Sequence, residues 1–572
     1  MFIRQKKSSG HAYLQIVENR WEDGKVRQRV LLTLGREDEL RSSGHLDALL
    51  ASGSRFSEKM LLLSAFKEGR LEAVAKRHTG AALVFGKLWA QTGCEAVVKR
   101  ALEGRQFGFD AERALFTTVL HRLCDPGSDR ACERWMQDYA IAGADGLALQ
   151  HFYRAMAWLG EPLPDEEQDG ASLALFAGKA RRKAPLPSGP FAPRCAKDLI
   201  EEDLFTRRRT LFSSLSLCFF DTTSIYFEGK GGESIGQHGH SKDHRPDLKQ
   251  MVVGAVLDAE GRPVCCEMWP GNTTDVKSLL PIVKRLRERF GITQVCIVSD
   301  RGMISGETVR TLDAMDPPVR YILGARMRAV KEVGDQVLSR AGRFQVLHGG
   351  REHSKDPSPL KVKEVWVGER RYVVCLNDEQ ARKDAHDREA ILASLHDQLK
   401  KGAKSLVGNK GYRKYLKAER DSFAIDPKKV KEEERYDGKW VLLTNTAPAD
   451  LPAAEVALQY KQLWTVETLF RSVKSLLQTR PIYHKCDETI RGHVFCSFLA
   501  LVLRKALQEK IESKGWLLEW AAVIHDLKEV EEAELEQDGK RFLLRLDNHG
   551  CAGKVFQAAG VAMPATLQQA GS

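Results

Sequence analysis

Two carboxylates stand where an ionised side chain is costly, and a third shares a helix face with other polar residues. Asp221 ends the apolar run Leu215-Ser-Leu-Cys-Phe-Phe220, and Asp300 ends Val295-Cys-Ile-Val-Ser299. Each run reads as a buried strand, where a carboxylate must be paired, hydrogen-bonded or bound to a cation. Two such strands side by side make an oxygen-donor cation site, although either Asp alone also suits a turn or a helix cap. The third carboxylate lies in Tyr460-Lys-Gln-Leu-Trp-Thr-Val-Glu467-Thr-Leu-Phe-Arg471-Ser-Val-Lys474. Tyr460 to Glu467 and Glu467 to Lys474 are both seven residues, a net turn of only about 20° on a helix, so one face carries all three and Arg471 joins them. Leu463, Val466, Phe470 and Leu477 form the apolar side. A surface helix with ordinary charge pairing is the alternative for this segment alone.

The elements that position these residues follow from pattern. Met251 to Leu257 and Pro263 to Trp269 read as strands joined at Asp258-Ala-Glu-Gly261, Val276 to Phe290 reads as a helix, and Trp440 to Thr444 as a further strand. This predicts an α/β core with a mixed five-stranded sheet and flanking helices. Pro452 to Leu477 reads as one long helix, and the chain stays helical to about Val530. Between the second and third carboxylates, residues 326–439 break the rhythm and read as a β-containing insertion domain, with a hairpin at Lys361 to Cys375 and a helix at Glu379 to Lys400. Tyr13 to Leu34 alternates around Asp23-Gly24, the pair that favours a two-residue hairpin turn. The partition is an N-terminal β element at 1–57, a helical region at 58–210, core at 211–325 and 440–500, the insertion, and a helical region at 501–572.

Composition sets the outer limits. The 572 residues are 43% apolar and 29% charged, which excludes a disordered chain and a single small module. The apolar run Val494 to Leu503 is too short to span a membrane. No signal peptide opens the chain, and the twelve cysteines lack any C-x-x-C pair, so reduced buried thiols in the cytoplasm are expected. The net charge of +11 permits a polyanionic partner. Local basic runs point to it more sharply: Arg181 to Lys183 in a Pro-rich linker, Arg207 to Arg209, and Lys401 to Arg420, which includes Lys410, Arg413 and Lys414.

Asp221 in Phe-Phe-Asp-Thr-Thr-Ser, Asp300 in Val-Ser-Asp-Arg-Gly-Met and Glu467 in Tyr-x2-Leu-Trp-x2-Glu-x6-Lys together resemble the DDE transposases of bacterial insertion sequences. The branch is family four and its relatives, whose third carboxylate lies in a Tyr-x2-Arg-x3-Glu-x6-Lys signature. Pro270-Gly-Asn-Thr-Thr-Asp275 and Arg480-Pro-Ile-Tyr-His484 are similar to neighbouring stretches of that branch. The spacings fit too: 300 − 221 = 79 residues and 467 − 300 = 167 residues, the second leaving room for an insertion. Leu463 departs from the pattern, standing where the signature has Arg, so that phosphate contact falls to Arg471 or is lost.

The resemblance implies an RNase H-like core in which Asp221, Asp300 and Glu467 hold two Mg²⁺ ions, with Mn²⁺ as a substitute, about 3.5 to 4 Å apart for in-line phosphoryl displacement. It implies double-stranded DNA as partner, both inverted-repeat ends and target, a homodimer holding two ends, and a bacterial, nucleoid-associated protein. Tyr460 and Lys474 would position phosphates, and Trp464 would either stack on an exposed base or pack on the helix. A nuclease that does not join strands and a silent DNA-binding protein are the rival readings. His238, His240 and His244 lie with Asp243 in a Gly- and Lys-containing stretch without cysteine partners, and this reads as a solvated loop rather than a zinc site. Gly229-Lys-Gly-Gly232 lacks the order of a phosphate loop.

Overall fold

The computed structural model describes the chain except residues 1, 9, 23–24, 55–71, 165–192, 209–216, 293–295, 352, 354–355, 401–411, 413, 420–421, 538–539, 547–548 and 570–572. The Asp23-Gly24 turn, the Lys179 to Pro190 linker, Arg209, Lys410, Arg413 and Arg420 lie outside the described residues.

Strands β1 (Phe2–Ser8), β2 (His11–Glu22) and β3 (Lys25–Arg36) form an antiparallel sheet in which Glu22 stands opposite Lys25. Strand β4 (Glu72–His78) follows. The centre is a mixed sheet built from β5 (Leu217–Tyr226), β6 (Gln250–Leu257), β7 (Pro263–Pro270), β8 (Cys296–Ser299), β9 (Arg320–Gly324), β10 (Gln345–His348), β11 (Leu360–Val367), β12 (Arg370–Leu376) and, after the hairpin β13 (Leu416–Glu419) and β14 (Ser422–Ile425), β15 (Lys439–Thr444). Its order is β10-β11-β12-β15-β9-β8-β5-β6-β7. Strands β5, β8 and β9 run parallel to one another, and every other pairing is antiparallel.

The expected five strands are therefore nine. Strand β9 is five residues long, too short for its pattern to stand out beside Pro317-Pro318. Strands β10 to β12, read as part of a separate insertion, hydrogen-bond through β12 onto β15 and extend the same sheet. Within 378–434 the chain does build a small core of its own, around Leu395, Tyr415 and Leu416.

Alternation along the central strands divides the main core in two. Leu217, Phe219, Cys296 and Val298 face the side covered by the helices, including Val466 and Phe470. Cys218, Phe220 and Ile297 face the other side, against Leu279, Ile282 and Val283 of the helix Asp275–Glu288. With both faces buried, the central strands read as continuous apolar runs.

Two regions expected to be helical contain strands. Strand β4 pairs with β16 (Glu531–Gln537), which also pairs with β17 (Lys540–Arg545), and β18 (Leu567–Gln569) completes a four-stranded sheet. Glu532, Glu534 and Glu536 alternate along β16, and helix-compatible residue types hid that strand period. The long helix expected over 452–477 is also interrupted: Ala453–Lys461 ends at Gln462, Trp464–Arg471 follows, and Ser472–Leu476 is a π-helical turn. All twelve cysteines are free thiols. Among the described residues no helix is long and apolar enough to cross a membrane.

Candidate active site

The register of β5 on β8 brings the first two carboxylates together. The parallel pairs run from Leu217↔Cys296 to Phe220↔Ser299, and one further step sets Asp221 beside Asp300. Residues 217, 219 and 221 share a face, as do 296, 298 and 300, so both carboxylates look toward the helix layer. On that layer Leu463, Val466, Phe470, Val473 and Leu477 are buried. That spacing turns Trp464, Glu467 and Arg471 outward as an exposed stripe. Glu467 stands on the rim of two cavities. One, of about 390 Å³, holds Asp300, Arg301, Tyr460 and Trp464. The other, of about 340 Å³, holds Asp221, Thr222, Lys242, Arg471, Lys474 and Arg480.

Each Asp is held by specific partners. Asp221 Oδ1 accepts the Thr222 N–H at 2.7 Å. Burial pushes its carboxyl up to about 6; Lys242 and that N–H oppose the rise, while the nearby charges of Asp300 and Asp275 add to it. Lys242 Nζ donates to the Thr222 carbonyl at 2.7 Å and pairs with Asp275 Oδ2 at 3.2 Å, and the Thr222 hydroxyl donates to Asp275 Oδ1 at 2.7 Å. Asp300 Oδ1 accepts the Tyr460 hydroxyl at 3.0 Å. Burial and the Asp300 charge hold that phenol well above its ordinary pKa, so it remains a donor.

The residues read as DNA contacts have varied surroundings. Tyr460 turns its hydroxyl onto Asp300. Trp464 is 61% exposed and lines the Asp300 cavity. Arg471 is exposed on the Asp221 cavity, and Leu463, at the signature's Arg position, is buried. Lys474 is largely buried and bonds Asp243 at 2.6 Å. Lys414 is exposed, pairs with Glu433 at 3.2 Å and lies over the Tyr415 ring, at the surface of the small separate core. Of the basic pair Arg207-Arg208, the first pairs with Asp203 and the second donates to the Pro263 carbonyl.

Lys242, Asp243, Asp275 and Arg480 enter the site without having been assigned a role from sequence. The three His of the 238–244 loop are exposed as a solvated loop requires, while Lys242 pairs with Asp275 and the Asp243 side chain is buried against Lys474. Their signal was the polar stretch Ser241-Lys-Asp243 after β5, which carries no spacing that marks a site.

Among the described residues, the His/Cys/Asp/Glu triad with ligand atoms all within 4.8 Å of one another is Asp129, His484 and His493. A guanidinium N–H of Arg122 lies 2.9 Å from His493 Nδ1, and His493 Nε2 lies 3.2 Å from the Thr479 carbonyl. Arg can only donate and a carbonyl can only accept, so Nδ1 is the acceptor and its lone pair is already used. His484 Nε2 pairs with Asp129 at 3.1 Å. This is a hydrogen-bond network bracing the helices rather than a ligand set.

The chain is similar to known transposases over two stretches. Residues 3–66 match the family model described as IS1634 family transposase, N-terminal domain. Residues 213–503, half of the chain, match the model described as Transposase DDE domain. The subgroup indicated is thus IS1634, in place of the family-four branch read from the signature. No curated protein matches. Among solved structures, the cryo-EM structure of a piggyBac transposase synaptic complex with hairpin DNA is similar at a TM-score of 0.35 and 11% identity, over 78% of this chain and 76% of that one.

Proposed function

This chain belongs to the DDE transposases, enzymes that cleave DNA and transfer strands, and we propose that Asp221, Asp300 and Glu467 are its catalytic carboxylates in an RNase H-like core. The observation that carries this reading is the β5–β8 register, which sets Asp221 beside Asp300 on the face covered by the helix of Glu467. The donor set suits Mg²⁺, and Mn²⁺ in its place: three carboxylates offer hard oxygens, and Asp221 is a buried carboxylate whose neighbours are further carboxylates, an arrangement that a divalent cation relieves. When bound, two such ions supply Lewis acidity for in-line displacement at a phosphodiester.

The chain's own residues prepare that chemistry. The Thr222 N–H fixes one Asp221 oxygen, and the Tyr460 hydroxyl fixes one Asp300 oxygen. Lys242, Arg471, Lys474 and Arg480 give the Asp221 cavity a cationic wall that suits a DNA phosphate. Trp464 offers an exposed aromatic face beside Asp300 for a base displaced from the duplex.

On this reading the enzyme binds terminal inverted repeats, cuts them and joins the freed 3′ ends to target DNA as a homodimer, in the bacterial cytoplasm on the nucleoid. Residues 211–325 and 440–500 form the catalytic domain, 326–439 the insertion whose strands β10 to β12 join the same sheet, 1–57 an N-terminal β element, 58–210 the end-binding region, and 501–572 a C-terminal support. The test is Mg²⁺-dependent cleavage of labelled end duplex by the wild type and by Asp221→Asn, Asp300→Asn and Glu467→Gln. Each variant loses cleavage while retaining duplex binding. Retained cleavage by any of them would sink that residue's assignment, and joining of labelled ends to a supercoiled target separates a transposase from a simple nuclease.

A further inference from the structure

The loop between β5 and β6 places one acid where a DNA-binding cavity has no direct use for it. Asp243 has a side chain only 6% exposed. Its Oδ1 takes both Lys474 Nζ and Arg480 Nη1, each at 2.6 Å, while Oδ2 is buried and, among the described residues, makes no hydrogen bond. Both cations line the cavity that holds Asp221 and Glu467. Lys474 comes from the π-helical turn and Arg480 from the extended segment beyond it, whose Ile482 bridges to Phe227 at the end of β5. The loop is anchored to the sheet by Lys242 N, which donates to Ser224 Oγ at 2.8 Å, and braced within itself by Arg245 N, which donates to Ser241 Oγ at 3.0 Å. The Arg480 guanidinium lies 5.6 Å from the centre of the Tyr226 ring.

A carboxylate cannot itself hold a phosphate, since both are acceptors. What it can do is fix cations. Two cations sharing one carboxylate oxygen keep a net positive charge and are set side by side, whereas two long side chains left alone would have to be ordered by the ligand at an entropic cost. We infer that Asp243 is a positioning residue that holds Lys474 and Arg480 together as a two-point subsite for a DNA phosphodiester next to Asp221. The inference rests on the reading that Asp221, Asp300 and Glu467 cut DNA, and it assigns a role to Arg480 and to the loop around residues 238–247.

The test compares full-length wild type with Asp243→Asn, Asp243→Glu, Lys474→Met, the Asp243→Asn/Lys474→Met double variant and Asp221→Asn. Duplex affinity, single-turnover cleavage of labelled end DNA in Mg²⁺, and thermal midpoint are measured for each. Asp243→Asn keeps or tightens duplex binding, because a negative charge beside a polyanion is removed, yet cleaves roughly 10- to 100-fold more slowly because the phosphate is misplaced. Asp243→Glu recovers part of the rate. The double variant is no slower than the slower single variant, since both changes disable one subsite. Cleavage by Asp243→Asn at the wild-type rate, or a double variant whose loss is the product of the single losses, overturns the inference. So does a lowered midpoint with binding and cleavage lost together, which would make Asp243 a folding residue. If Asp221→Asn still cleaves, the underlying site reading has failed; if it is dead while Asp243→Asn is fully active, only the present inference has.

Discussion

Tyr460 shows how one proton decides what a side chain can do. Burial and the neighbouring Asp300 charge keep its phenol protonated far beyond neutral pH, so the hydroxyl is a standing donor to Asp300 Oδ1 at 3.0 Å. It therefore orients a carboxylate, beside the phosphate-positioning role that the resemblance implies for it. Removing the hydroxyl leaves the ring in place and releases one Asp300 oxygen. A hydrogen bond to a charged group contributes on the order of 1.5–3 kcal/mol, so Tyr460→Phe is expected to slow cleavage about 10-fold or more with duplex binding kept. Single-turnover kinetics beside a gel-shift titration checks this, and a Tyr460→Phe enzyme as fast as wild type would show that Asp300 needs no such support. Lys414 makes the opposite point. It belongs to the basic run 401–420, yet its exposed ammonium already pairs with Glu433 at 3.2 Å. Local charge density in a sequence records neither partner nor place.

At the scale of elements, the hydroxyl of Tyr460 reaches Asp300 only because the neighbouring strand ends in glycine. A Cβ on Gly324, the last residue of β9, would lie 2.5 Å from Tyr460 Oη and 3.0 Å from the Arg301 backbone nitrogen. The backbone on one side cannot yield, so the phenol must. Gly324→Ala is thus expected to reproduce the Tyr460→Phe loss of cleavage, and the two changes combined should cost little more than either alone; independent, multiplying losses would show that Gly324 acts by some other route. This contact explains what could be read from sequence and what could not. Asp221 and Asp300 were legible because fully buried parallel strands are continuous apolar runs, and a carboxylate at the end of one is conspicuous. Glu467 was legible through its seven-residue spacing, even though Gln462 and Leu463 break the helix and a π-helical turn follows. Strands as short as β9 and β10, of five and four residues, lack that contrast; β11 and β12 were legible as a hairpin at Lys361 to Cys375 but not as part of the same sheet, and β16 alternates Glu with small and apolar residues that suit a helix equally well. Asp243 was hidden for a different reason: its partners lie 231 and 237 residues away along the chain (474 − 243 and 480 − 243), and no local pattern records such pairing.

Across the whole molecule, the helix layer that carries Glu467 is seated on the N-terminal helices by backbone-to-backbone contact. The helix Asp487–Glu512, which follows the Glu467 helix, crosses Leu149–Gly160 so closely that a Cβ on Gly492 would fall 1.9 Å from the Met156 carbonyl oxygen, and one on Gly160 would fall 2.1 Å from that of Glu488. Beside this crossing, Arg122 reaches from its own helix to Ser497 and to His493, and β4 is paired with β16 from the far end of the chain. The helical segments before and after the sheet are thus one support, and the segment carrying Arg480 and His484 is strung between that support and β5. Forcing the crossing helices apart should cost about 1–3 kcal/mol or more, as overpacking of a tight core does. Gly492→Ala is therefore expected to lower the thermal midpoint and to weaken cleavage and duplex binding together, because the whole helix layer shifts on the sheet. Asp221→Asn supplies the contrast, losing cleavage with its midpoint and duplex binding retained. If Gly492→Ala instead melts as the wild type does and loses cleavage alone, the crossing is a device of the active site rather than the joint between the two parts of the molecule.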